Sequence, residues 1–205
     1  MTSRYDTLLA LFDRGGPILM LLAVLSVLTL AVILWKALSL SVSGAFSRGP
    51  VARAAAAYAQ GNHDQAKMAA QGKSVGLTVL RATIELRERL AQDTAREEVE
   101  RIAREALDQQ RGGMRLLELI GTLAPLLGLL GTVLGMIAAF QGLEEAGSRA
   151  DPALLAGGIW EALLTTAAGM GVAIPALAAH SWFESVLERL TASIESAATR
   201  VFTAP

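Results

Sequence analysis

The chain has 205 residues, of which 53% are hydrophobic and 18% are charged, with a mean hydropathy of +0.44 and a formal net charge of −1. An ordinary soluble domain is less apolar, so the charged and the apolar residues must occupy separate parts of the chain. The near-zero net charge gives no basic surface of the kind that binds nucleic acid. The absence of cysteine excludes a disulfide framework, a thiol nucleophile and a cysteine metal site.

Three stretches are apolar and long enough to cross a bilayer. They cover residues 17–35, 119–143 and 152–182, and Glu161 interrupts the third. Each exceeds the roughly 18 residues that the hydrocarbon core requires, and a helix satisfies its own backbone polar groups there. We therefore predict an all-α membrane protein with three transmembrane helices and long helical extensions. The predicted segments are an external N-terminal segment at 1–16, transmembrane helices at 17–40, 116–143 and 152–182, a cytoplasmic helical domain at 41–115, an external loop at 144–151 and a cytoplasmic C-terminal helix at 183–205.

The first stretch is followed by the small residues SVSGA, which also occur at the cleavage sites of signal peptides. Its apolar core is longer than the usual length of about 7 to 15 residues, and the segment before it contains Asp6 and Asp13. We therefore expect a retained membrane anchor. Its Leu, Val and Ile content suits contact with lipid.

The distribution of basic residues predicts the orientation. The segment 41–118 contains 12 of the 18 Lys and Arg residues, whereas the connection 144–151 has one Arg and three acidic residues. Basic residues are enriched in cytoplasmic segments that flank membrane spans. We therefore expect the N-terminus and the 144–151 connection outside the cytoplasm, and the C-terminus inside.

The segment between the first two spans is predicted to be helical. Glycine-containing turns enclose a short alanine-rich helix near 51–60, while 74–110 lacks proline and has Glu/Arg pairs throughout, which predicts one long helix. Packing within the chain and packing between identical subunits both suit its apolar stripe. The stripe comprises Val99, Ala103, Ala106, Met114, Leu117 and Ile120. The C-terminal segment has a similar stripe and should extend the third span as a helix.

Spans two and three are rich in small residues, unlike span one. Glycines spaced by three or four residues let helices approach closely, and each of these spans has a proline four residues after a glycine. Such a proline removes one backbone hydrogen bond, so a bend is expected at both places. The residues assigned to helix packing or bending are Gly121, Pro125, Gly128, Gly131, Gly135, Gly171 and Pro175.

These small-residue faces also predict self-association. In this interpretation the glycine face of span two and the stripe of the long helix have no mate within one three-helix chain, so we expect a homo-oligomer. No enzyme site or cofactor site is expected. His63 and His180 are isolated and have no second histidine or paired carboxylate at ligand spacing.

The sequence APLLGLLGTVLGMIAAF at 124–140, followed after a short loop by GIWEALLTTAAGMGVAIPA at 158–176, resembles the paired motif of the ExbB/TolQ/MotA proton-channel family. The order of an anchor helix, a cytoplasmic helical segment and two small-residue spans is similar to that of the three-helix ExbB/TolQ branch, and most like ExbB. MotA-type proteins have four spans, whereas this chain has three.

The resemblance implies a subunit of a bacterial inner-membrane motor, with its external side in the periplasm and its surface in contact with membrane lipid. It implies a homopentameric ring around the single spans of ExbD-like partners. Proton entry would then drive transport at the outer membrane through a TonB-like protein. A TolQ-like subunit of the Tol-Pal envelope system, or a passive membrane scaffold, is the alternative.

The resemblance also implies site residues. The motif match assigns the proton pathway to Glu161, Thr132 and Thr166. Thr166 is five residues from Glu161, about 140 degrees around a straight helix, whereas Thr165 is four residues away and shares the face of Glu161. Both threonines are therefore candidates.

Glu161 distinguishes the hypothesis of a proton carrier from that of a passive scaffold. A carboxylate at membrane depth costs roughly 2.5 to 3.5 kcal/mol on insertion scales, and such residues usually face a bundle interior or a water-filled cavity. A static glutamate, hydrogen-bonded by the hydroxyl of Thr165 or Thr132, is the alternative without a protonic role. The chain has no second ionisable group at that depth, so a partner helix must supply one, and the aspartate of an ExbD-type protein fits that requirement by resemblance.

Overall fold

A computed structural model describes residues 2–47, 49–146 and 152–204, and their side chains from residue 16 onward except at 146, 152 and 154. Within these ranges every regular element is an α-helix, which confirms the all-α prediction. The helices are α1 (Thr2–Val42), α2 (Gly49–Ala59), α3 (His63–Ala69), α4 (Val75–Arg89), α5 (Gln92–Gln110), α6 (Met114–Ala146) and α7 (Pro152–Thr203).

Three of these helices contain segments that are long and apolar enough to span a membrane, as predicted. The segments are Gly16–Val42, Met114–Glu145 and Leu155–Thr203. Residues 144–146 of the predicted loop belong to the end of α6, and residues 147–151 lie outside the described residues. Both α6 and α7 continue as single helices through their prolines, Pro125 and Pro175.

The backbone of α1 is interrupted at Gly16, which has φ 61 and ψ −168. Glycine adopts a positive φ without the steric penalty that a Cβ brings. Pro17 follows directly. Proline suits the first turn of a helix because the backbone N–H groups of that turn have no acceptor within the helix, so the N–H that proline lacks costs no hydrogen bond. The membrane-spanning part of α1 therefore begins at a defined break.

The described chain divides into two compact units. The first comprises Met1–Ile33 and Arg115–His180, and the second comprises Leu34–Met114 and Ser181–Pro205. In the first unit, apolar residues of α1, α6 and α7 form a common core. Its buried members are Leu22, Ile120, Ala124, Val172, Ala173 and Ala176.

The second unit contains α2 to α5 and the C-terminal part of α7. Its main core joins α2 and α4 to the end of α7, where Ala197, Val201 and Ala204 are buried. The predicted C-terminal stripe is confirmed, because α7 is helical to Thr203 and every stripe residue is buried. These residues are Val186, Leu187, Leu190, Ile194 and Val201.

The prediction of one long helix over 74–110 is wrong. Leu90 and Ala91 are extended, with ψ of 160 and 147, and they separate α4 from α5. The two helices pack against each other, because Leu86 contacts a cluster formed by Ala95, Val99 and Phe202. The chain folds back at this point, so α5 packs against α4 and does not extend it.

Charge explains why a break is favourable here although no Pro or Gly occurs. Arg87 and Arg89 lie in the last turn of α4, and Asp93 lies in the first turn of α5. Basic residues stabilise a helix C-terminus and acidic residues stabilise an N-terminus. The order of the charges therefore suits a helix end followed by a helix start. Burial of apolar side chains in the cluster around Val99 also stabilises the turn.

Lys36 connects the end of α1 to the turn between α5 and α6, within the second unit. Its side chain is 1% exposed, and its Nζ donates to the carbonyls of Gln110 and Gly112, the latter at 2.9 Å. Gly113 closes the turn with φ 79. An ammonium that is bonded to carbonyls at a helix C-terminus also complements the helix dipole.

We expect Lys36→Met to destabilise the protein by about 1–3 kcal/mol, because the change leaves these carbonyls without their buried donor. Thermal unfolding in mild detergent measures the effect. Lys73→Met removes an exposed lysine of the same unit and should leave the unfolding temperature unchanged. Equal stability of the two variants would contradict a structural role for the Lys36 contacts.

Candidate functional site

Glu161 lies on α7 and is half-buried. It lines a cleft of about 590 Å³ in the first unit, which we call the Glu161 cleft. The walls come from residues 16–18 of α1, residues in 131–139 of α6 and residues in 153–165 of α7. Apart from Glu161 and Thr165, every lining residue is Gly, Ala, Pro, Leu or Ile. The carboxylate is therefore the one ionisable group among the described residues of the wall.

The nearby threonine hydroxyls donate to backbone carbonyls. Thr165 Oγ1 contacts the carbonyl oxygens of Ala162 at 2.7 Å and Gly128 at 3.1 Å, and Thr166 Oγ1 donates to the same Gly128 oxygen at 3.1 Å. Thr165 is buried and lines the Glu161 cleft, whereas Thr166 is not among its lining residues. These hydroxyl bonds join α6 to α7 and leave the Glu161 carboxylate without a threonine donor.

Thr132 lies on a different surface of α6. Its Oγ1 donates to the carbonyl of Leu129 at 2.6 Å. It lines a second groove of about 550 Å³ formed by α6 residues, among them Met136, Phe140 and Glu144. The structure therefore brings Thr165 to the Glu161 cleft and places Thr132 in a separate groove.

Glycines of α6 contact α7 at very short range. A Cβ added to Gly128 would lie 2.8 Å from the backbone oxygen of Thr165, and one added to Gly131 would overlap Thr165 Oγ1. A Cβ at Gly135 would lie 3.0 Å from Ala162 Cβ. Gly121 is equally close to Leu177. The absence of side chains on this face is therefore what allows the two helices to approach.

The expectation that the span-two glycines lack a mate within one chain is wrong. Their mate is α7 of the same chain. Spacing in a sequence identifies a face suited to close packing, but it does not identify the partner helix. Gly171 makes no comparable contact, since a Cβ there would meet nothing within 4 Å.

Sequence reasoning missed the α7 residues that form the other half of this contact. Gly158 lies against Ala139, and a Cβ on Gly169 would lie 2.5 Å from the carbonyl oxygen of Ala124. Gly158, Ala162, Thr165 and Gly169 are separated by four, three and four residues. This spacing is the same small-residue pattern that was recognised in span two, so it could have indicated the contact.

The described residues contain no group of three His, Asp or Glu side chains placed to hold a metal ion. The site therefore consists of one carboxylate, two backbone-bonded threonines and a closely packed helix pair. Glu161 is the acidic group of this arrangement.

Comparison with known proteins agrees with this arrangement. A family model described as the MotA/TolQ/ExbB proton channel family matches residues 71–196, which is more than half of the chain. The matched range includes Glu161 and the closely packed parts of α6 and α7.

Two relatives are similar over a shorter segment. The biopolymer transport protein exbB1 of Vibrio cholerae serotype O1 is 36% identical over 87 residues, covering 42% of this chain and 38% of the relative. A relative from Synechocystis sp. whose name describes it as ExbB-like 1 is 44% identical over 87 residues, covering 42% of this chain and 34% of the relative. The aligned segment thus spans well under half of each relative. From the extent of the family match, this chain belongs to the MotA/TolQ/ExbB proton channel family.

Proposed function

We propose that this chain is an ExbB-like subunit of an inner-membrane proton channel and motor. With an ExbD-like single-span partner, it couples the proton motive force to TonB-dependent transport at the outer membrane. The observation that carries the proposal is Glu161, an intramembrane carboxylate that lines a cleft and is not bonded by the threonine hydroxyls around it. Family membership and the similarity to a biopolymer transport protein support it.

The energy available suits such a role. One proton that crosses a potential of 100 mV releases about 2.3 kcal/mol, so several crossings can drive a mechanical cycle. The apolar parts of α6 and α7 contain no second ionisable residue at the depth of Glu161. The proposal therefore requires an acidic residue on the partner helix as the next proton acceptor.

The placement of Thr132 suggests where that partner lies. Because every described residue that lines the Thr132 groove belongs to α6, we assign the role of Thr132 to a contact with another chain. A ring of five copies around ExbD-like helices gives this groove a neighbour. In that arrangement Thr132 and Glu161 both lie along the path of the proton, either on two neighbouring chains or on two faces of one chain.

Proton flux in vesicles tests the proposed function. Vesicles that contain this chain together with its ExbD-like partner should acidify when a potential of inside-negative sign is imposed, as read by an enclosed pH dye. Vesicles with either protein alone are the controls. An assembled complex whose flux equals that of empty vesicles would overturn the proposal.

Isolation of complexes that contain the chain separates the ExbB-like from the TolQ-like role. A TonB-like protein in these complexes would support the ExbB-like role, and a TolA-like protein would support the TolQ-like role.

The proposed topology has the N-terminus in the periplasm and the C-terminus in the cytoplasm. We expect Ser148→Cys, in the connection outside the described residues, to react with an impermeant thiol reagent in spheroplasts, because that connection is external. Asp93→Cys, at an exposed position of α5, should react only after the membrane is opened. The chain has no native cysteine, so labelling of this chain reports only the introduced residue. Labelling of Asp93→Cys in intact spheroplasts would reverse the orientation.

A further inference from the structure

The Glu161 cleft extends in one direction only. On α7 its lining residues run from Ala153, next to the first residue of the helix, to Thr165. Ala153 and Glu161 are eight residues apart, which is about 12 Å along a helix. The cleft therefore connects Glu161 to the end of the span that adjoins the 144–151 connection.

On the other side of Glu161 the helices close. The carbonyl of Ala124 lies where a Cβ of Gly169 would be, and Gly128 lies against the backbone of Thr165 and Thr166. Beyond these contacts the helices share the buried core around Ala124 and Val172. Of the residues in these contacts only Thr165 lines the cleft, at its closed end.

Small residues keep the cleft open. A Cβ on Gly157 would meet nothing within 4 Å, and Ala138 is exposed on the opposite wall. The volume of about 590 Å³ has room for several water molecules at about 30 Å³ each. A Cβ at Gly157 therefore has free space, and a larger side chain there would occupy part of the cleft.

The presence of the Glu161 carboxylate favours water over lipid as the occupant of the cleft. No donor of the described residues is bonded to the Glu161 carboxylate, and a bare ionised carboxylate against an acyl chain carries a penalty of several kcal/mol. Water is small enough to enter the cleft and can donate to the carboxylate, and intramembrane carboxylates usually face watery cavities.

We propose that the Glu161 cleft is a water-filled entrance, open on one side of the membrane, through which protons reach Glu161 within a single subunit. A hydronium ion in the cleft gives its proton to the carboxylate, which leaves a neutral carboxylic acid and one water molecule. The contacts at Gly128 and Gly169 prevent water from continuing along the same path. The proton must therefore leave Glu161 towards another chain. This inference rests on the proposed function and adds the route of entry.

Cysteine labelling at matched depth tests the presence of water. Leu134 and Leu163 are both exposed leucines near the level of Glu161, but only Leu134 lines the cleft. In the assembled complex with the ExbD-like partner, a charged, impermeant methanethiosulfonate should label Leu134→Cys from the side that labels Ser148→Cys. Leu163→Cys should stay unlabelled. Protection of Leu134→Cys from the charged reagent, with reaction towards an apolar maleimide, would indicate lipid in the cleft and overturn the proposal.

Filling the cleft tests its role in proton flux. Gly157→Leu should reduce flux in vesicles to the level of the Glu161→Gln variant, whereas Gly171→Leu, another open position of α7 outside the cleft, should conduct normally. Labelling of Leu134→Cys with the charged reagent gives an independent block in a complex that is already assembled. Loss of flux in Glu161→Gln with full flux in both blocked forms would refute the entrance and leave the proposed function standing. Full flux in Glu161→Gln would instead refute the proposed function.

Discussion

Glu161→Gln is expected to abolish energised transport while leaving membrane insertion, oligomer assembly and partner binding intact. Glutamine has the size and hydrogen-bonding capacity of glutamic acid but cannot exchange a proton. The threonine hydroxyls around Glu161 bond to backbone carbonyls, so the substitution removes no bond that holds α6 to α7. The measurement is transport in cells that lack the native protein, at matched expression, together with proton flux in vesicles.

Glu161→Asp is the matched comparison, because it keeps the titrating group and shortens its reach by one methylene. It should retain partial activity. Thr132→Ala and Thr166→Ala should impair transport without abolishing it, since neither hydroxyl is the group that gains and loses the proton. Full activity of Glu161→Gln would remove the proton-carrier role and favour a membrane scaffold.

Gly128→Ala is expected to destabilise the contact between α6 and α7. The new Cβ would lie 2.8 Å from the backbone oxygen of Thr165 and 3.0 Å from the Cα of Thr166. Backbone atoms cannot rotate away as a flexible side chain can, so the two helices must separate. Overpacking of this kind costs about 1–3 kcal/mol, and separation also weakens the two hydroxyl bonds to the Gly128 carbonyl. We expect the unfolding temperature in mild detergent to fall by roughly 5–10 °C.

Gly171→Ala is the control for Gly128→Ala. Both glycines lie inside a membrane-spanning helix, but a Cβ at Gly171 meets nothing within 4 Å. Alanine has the higher helix propensity, by up to about 1 kcal/mol, so this control should be neutral or slightly stabilising. Equal unfolding temperatures for the two variants would show that the close approach at Gly128 contributes little to stability.

Hydropathy was sufficient to predict the three spans, because the energetic cost of placing charge in lipid is large and is visible residue by residue. The C-terminal stripe around Leu190 was also predictable, since its residues recur at helical spacing and are all buried. The break at Leu90 was not predicted, because it contains neither glycine nor proline. It depends on contacts between Leu86, Val99 and Phe202, which are distant in sequence.

The carboxylate of the candidate site can be singled out from the sequence, but the arrangement of the helices around it cannot. Glu161 is conspicuous as a lone charge in an apolar stretch, and helical geometry placed Thr165 on its face, as the cleft lining shows. The separate location of Thr132 was not predictable, because a motif records which residues occur and not which helix faces meet. For the same reason the mate of the Gly131 face was assigned to another chain, whereas Thr165 of the same chain fills it.

The buried Lys36 has a consequence for biogenesis. Its two carbonyl partners are 74 and 76 residues later in the chain, so they do not yet exist when the first span leaves the ribosome. At a synthesis rate of about 5–20 residues per second, roughly 4–15 s pass between the synthesis of Lys36 and that of its carbonyl partners. During that interval its ammonium must stay hydrated among lipid headgroups at the end of its flexible stem. We therefore expect the nascent first helix to lie at a different depth from the finished one, and to reach its final position only when the turn at Gly113 has been synthesised.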